Sequence, residues 1–142
     1  MAQTLSYFGF LVLRMLACWS MLHGFLVCLN SPQRWSGPSF AIVSILPPYV
    51  WGVVLILGGL LVLIASLKTP NWRAYLRVKN TGLWIIAAWF FTIAIGFIMA
   101  AFGHPDVSLG AGSRDIFIGV LSVIMTKASE PKMIKDHKNV TG

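Results

Sequence analysis

Charge is what this chain lacks. Only 11% of its 142 residues are Asp, Glu, Lys or Arg, and only four of these are acidic, whereas an ordinary soluble domain is roughly a quarter charged. With 57% hydrophobic residues and a mean hydropathy of +0.78, the solvent it is built for is lipid. So few acids leave no paired carboxylates for acid–base work, and the phosphate-loop Gly-Lys-Ser/Thr and Gly-x-Ser-x-Gly patterns are missing as well. Gly103, Gly110 and Gly112 lie between apolar runs and follow no strand, so they imply no nucleotide cradle. The expectation is a protein that is not an enzyme and carries no cofactor and no metal.

Cysteine is scarce too. Cys18 and Cys28 are ten residues apart on different faces of one helix, which predicts two buried thiols and neither a disulfide nor a metal pair. A cleaved signal peptide is not expected, because Met1 to Leu13 carries no charge and Arg14 interrupts the apolar stretch.

What is present is a series of long apolar runs. Leu83 to Phe102 contains no charge, and its ten Leu, Ile and Phe residues contribute roughly −3 to −6 kcal/mol to insertion. It predicts a span over about 83–102, with Trp84 at one headgroup layer and Gly103-His104-Pro105 ending the helix at the other. The uncharged stretch from Trp35 to Leu67 is divided by Pro47-Pro48, which predicts a span over about 48–67 and leaves Phe40 to Leu46 along the outer interface. The first run predicts a span over about 5–29 despite Arg14 and His23. One Arg at a helix centre costs roughly 2.5 to 3.5 kcal/mol, while the twelve Leu, Phe and Val residues there offer roughly 4 to 7 in return. The fourth segment predicts a helix over about 113–129, with Ser113 as its N-cap, Arg114 and Asp115 at the outer end and Pro131 as its stop.

The net charge of +7 sorts by position. Lys68, Arg73, Arg77 and Lys79 join spans two and three, and Lys127, Lys132, Lys135 and Lys138 follow span four, whereas the other two connections hold only Arg34 and Arg114. Positive loops stay inside, so the predicted protein is all-α, a single transmembrane domain forming an integral membrane four-helix bundle in the inner (cytoplasmic) membrane. Both termini are cytoplasmic, and residues 130–142 form a basic tail. Arg73, Arg77, Lys79, Lys127 and Lys132 are expected at anionic lipid headgroups, and the basic residues imply orientation by the bilayer, with no nucleic-acid partner. Asn139-Val140-Thr141 fits a glycosylation acceptor, but the predicted cytoplasmic side forbids its use.

Small residues mark helix-packing positions: Ala88, Thr92, Gly96 and Ala100 on span three, and Gly52, Gly59 and Ser66 at seven-residue intervals on span two. They fit packing within one protomer and packing between protomers. Arg14 and His23 are the polar groups placed inside span one. Arg14 has no acid in spans one to three, and reaching towards the headgroups is its expected state. His23 and His104 both fall towards the outer side, without the clustered ligands that a haem, metal or quinone site requires.

The order Trp35-Ser36-Gly37-Pro38-Ser39-Phe40, Pro47-Pro48-Tyr49-Val50-Trp51-Gly52, Trp72-Arg73 and Gly82-Leu83-Trp84 resembles the small four-span membrane proteins of tailed phages, above all those of actinobacterial hosts, many of which are taken to be holins. The likeness covers residues 35 to 102. It implies a protein that accumulates in the inner membrane, oligomerises laterally and opens lesions through which a cell-wall hydrolase escapes. Four spans depart from the two or three of the better-known holin classes, and Arg14 has no counterpart in that picture. The alternative expectation is a non-enzymatic membrane partner, such as a superinfection-exclusion factor or a small subunit of a larger complex.

Overall fold

The computed structural model describes residues 2–30, 37–67, 72–104 and 109–128. Among these residues every regular element is helical: α1 (Ala2–Leu29), a 3₁₀ turn (Pro38–Phe40), α2 (Pro48–Ser66), α3 (Trp72–Gly103) and α4 (Leu109–Ala128). The all-α expectation therefore holds. Three stretches are long and apolar enough to cross a membrane, Phe8–Leu29, Pro48–Ser66 and Ala74–Gly103.

α2 begins where the proline argument places it, with Pro48 in the first turn and Pro47 extended before it. α3 is longer than expected. It starts at Trp72, eleven residues before the predicted Leu83, because Arg, Ala, Tyr, Leu and Lys continue a helix readily and no Gly or Pro interrupts it before Gly82. At about 1.5 Å per residue its 32 residues reach about 48 Å, well beyond a hydrocarbon core of about 30 Å. α4 also starts early, at Leu109. Ser113 is accordingly no N-cap; it lies inside the helix and its hydroxyl donates back to the Gly110 carbonyl at 2.9 Å.

The helices pack antiparallel in sequence order, and glycine sets the spacing. A Cβ on Gly59 would lie 2.8 Å from the Ala17 carbonyl, and one on Gly24 would lie 2.7 Å from the Gly52 carbonyl, so α1 and α2 touch backbone to backbone. The neighbouring Gly58 turns to α3, where a Cβ on Gly82 would come within 2.6 Å of its carbonyl. Gly112 and Gly119 of α4 rest on Phe97 and Phe91 of α3. Between these contacts the interior is filled by Leu13, Leu55, Val62, Leu83, Ile86 and Phe90, all essentially fully buried.

The end of the bundle at the start of α2 is closed by the segment that precedes it. Within the segment expected along the interface, Ile45 is 84% exposed, whereas Val43 is 1% exposed, packed into the bundle, and accepts a hydrogen bond from Trp51 Nε1 at 2.8 Å. Phe40 stacks edge-on against Phe97 with ring centres 5.8 Å apart, and Trp51 lies against Trp89 at 5.6 Å.

Candidate functional site

Chemistry in a membrane bundle concentrates at polar groups held inside it and at faces left open to neighbours. The inside holds an acid. Asp115 is 1% exposed, and Arg114 beside it reaches its Oδ1 through both Nε and Nη2 at 3.0 Å. The sequence reading put this pair at the outer end of the helix; the earlier start of α4 puts it in the second turn, and the packing of α4 on α3 leaves Asp115 inside. The turn is visible in retrospect as a stripe of small and polar residues, Gly112, Asp115, Gly119, Ser122 and Thr126, all buried at helical spacing. Across the interior His23 packs on Phe90 with ring centres 5.4 Å apart. His104 stands exposed just past the end of α3, fourteen residues after Phe90, so about 21 Å of helix separates it from His23. Among the described residues no group of three or more His, Cys, Asp or Glu gathers as a metal site would need.

Lys79 corrects an expectation. It was read as a headgroup residue, but its side chain is fully buried: Nζ donates to the Thr126 carbonyl in the last turns of α4 at 3.2 Å and lies 5.8 Å from the centre of the Tyr75 ring. The helical continuation of α3 turns Lys79 towards α4, where a cation meets the negative end of the helix dipole. Lys79→Ala should speed amide exchange at Val123–Lys127 roughly tenfold, the size expected of a hydrogen bond from a charged donor. Unchanged exchange there would show that packing alone holds the end of α4. Arg77 and Lys127 are exposed, as a headgroup role requires. Arg73 lies in the first turn of α3 with its side chain outside the described residues, and Lys132 is also outside them.

The small residues divide between inside and outside. Gly52 and Gly59 are spent on α1 within the protomer, and Ser66 is buried with its hydroxyl donating to Leu63 at 2.7 Å. On α3, Ala100 is buried and Gly96 lies directly beneath the Ser39 carbonyl, so neither is open to another chain. Thr92 donates back to the Ala88 carbonyl at 2.8 Å, and Ala88 is exposed. Sequence reasoning missed Gly24, Gly58 and Gly82, the opposing halves of the glycine contacts.

Two faces remain open. One is a groove of about 620 Å³ along α3, lined by Leu76, Arg77, Asn80, Thr81, Trp84 and Ala88; the Asn80 Oδ1 is itself buried and has no hydrogen-bond donor among the described residues. The other is the outward side of α1, which carries Arg14 and Cys18, both exposed. The expectation of two buried thiols therefore fails for Cys18. Cys28 differs: it is half-buried in the α1–α2 seam, with Sγ 3.6 Å from the Tyr49 carbonyl. No protein family, curated protein or solved structure matches the chain.

Proposed function

We propose that this chain is a holin-like small membrane protein that associates with copies of itself in the plane of the cytoplasmic membrane and permeabilises it. The observation that carries the reading is where unspent interaction capacity lies. The protomer's glycine seams and core are used internally, while Arg14, which has no ion-pair partner among the described residues, lies on a lateral face where lipid or another chain meets it. Among the described residues the middle of the bundle is filled by core side chains, so the reading places a lesion between protomers. The likeness of residues 35 to 102 to phage membrane proteins points the same way.

The topology that goes with this reading has four crossings and both termini inside. α4 accompanies α3 from Lys79, beside Thr126, to Phe97, beside Gly112. That stretch is about 27 Å of helix, close to the hydrocarbon thickness, so α4 crosses wherever α3 does. The basic ends Arg77 and Lys127 then share the cytoplasmic side with the tail.

The test is membrane potential in bacteria during induced expression, with an inert four-span protein at equal abundance as the control. Collapse specific to this chain is the expected result. A potential that holds at high copy would eliminate permeabilisation and favour the second reading, a partner-binding membrane subunit docked in the α3 groove, which one stoichiometric co-purifying protein would reveal.

A further inference from the structure

The outward side of α1 is a continuous exposed stripe that also carries a charge, Arg14. Phe8, Leu11, Met15, Cys18, Leu22, Phe25 and Leu29 follow one another at alternating steps of three and four, and every one of them is exposed. The first six are the a and d positions of three consecutive heptads, beginning with Phe8 at a, and Leu29 opens a fourth; a stripe with this repeat can face one partner helix along its length through a left-handed supercoil. The opposite side of the helix carries the protomer's own contacts: Leu13, Leu16, Ala17, Ser20, Gly24 and Val27 are buried and occupy only b, c and f. A second helix can therefore dock without disturbing the bundle.

We infer that α1 pairs in parallel with α1 of a second copy through this seam, with Arg14 of each chain lying over Trp19 of the other. The inference deepens the self-association reading and rests on it. Copies inserted with the same orientation are related by an axis along the membrane normal, so identical helices meet parallel and in register. In a parallel pair the g position of one helix lies beside the e position of the next heptad on its partner. Arg14 is a g position and Trp19 is the e position five residues on, and both are exposed. A guanidinium over an indole face, away from water, is the strongest form of the cation–π contact. The pairing supplies what Arg14 lacks among the described residues, a partner for a charge on a lipid-facing helix.

Cys18, a d position, makes the seam testable with a native thiol, since a disulfide needs Cα atoms within about 7 Å. In bacterial membranes holding the full-length chain, copper-phenanthroline oxidation of the Cys28→Ser variant should give a covalent dimer, and the Cys18→Ser variant should not. Leu57→Cys on the exposed side of α2, made in the Cys18→Ser, Cys28→Ser background, measures chance collision. Arg14→Gln or Trp19→Leu, added to Cys28→Ser, should lower the dimer yield roughly tenfold. A Cys18 yield no higher than that of Leu57→Cys overturns the seam, and a yield indifferent to Arg14 and Trp19 overturns the contact between them. A Cys18 dimer in cells whose potential holds leaves the seam standing and removes permeabilisation; collapse without the dimer does the reverse.

Discussion

Gly59→Leu should leave α1 and α2 unable to close. The Cβ alone would lie 2.7 Å from the Met21 side chain and 2.8 Å from the Ala17 carbonyl, and backbone cannot step aside as a flexible side chain can. The rest of the leucine has no space without prising the helices apart, at a cost of about 3 kcal/mol or more. In lipid that separation is not opposed by a hydrophobic driving force between helices, because the tails solvate an exposed apolar face as well as a neighbouring helix does; close packing is the term that is lost. The measurement is unfolding of the purified protein in mild detergent by titration with a denaturing one, and the variant should unfold at a clearly lower fraction than the parent. Gly9→Leu, where nothing lies within 4 Å of the added carbon, should unfold with the parent. Coincident curves for Gly59→Leu and the parent would refute the α1–α2 contact.

Arg114→Leu should be costlier than Asp115→Leu, although each breaks the same ion pair. The two side chains are 56% and 2% exposed, so the losses are unequal. Without Arg114 a carboxylate stays inside the bundle with no ion-pair partner among the described residues, at a cost of roughly 3 kcal/mol. Without Asp115 the guanidinium remains where water and headgroups reach it, and the cost falls below about 1 kcal/mol. Arg114→Leu combined with Asp115→Leu should recover most of the loss, because the stranded charge is gone. Equal effects of the two single substitutions would mean that Asp115 is better solvated than its burial indicates.

Much of the architecture was legible from local chemistry. Pro47-Pro48 fixed the start of α2, the charge-free run from Leu83 to Phe102 lies wholly within α3, and the stretch from Ser113 onwards does form a helix. The site was legible only in fragments. Arg14 and His23 stood out because charged and titratable groups are costly in an apolar run. Lys79 was misplaced because a basic residue near the end of a span looks like an anchor, and only the continuation of α3 and the position of α4 turn it inward. Asp115 was misplaced because the start of α4 was set four residues late, about a full turn of helix, and because only the packing of α4 on α3 leaves it inside. Gly24, Gly58 and Gly82 went unnoticed because a glycine shows its purpose only beside the residue that faces it.

By itself the sequence determined the solvent, the helical class and the approximate boundaries of the helices. These follow from the sum of side-chain transfer energies along a run and from the demand that every backbone group in lipid be bonded within its own segment. Which side of each helix faces in was decided by the tertiary structure alone. In water the inner side of a helix is apolar and the outer side polar, so periodicity reveals the core. Here Leu13 in the interior and Leu11 facing outward on α1 are the same residue type. Lipid accepts both, and only the close approach of glycine-bearing backbones distinguishes the side that packs from the side that stays open.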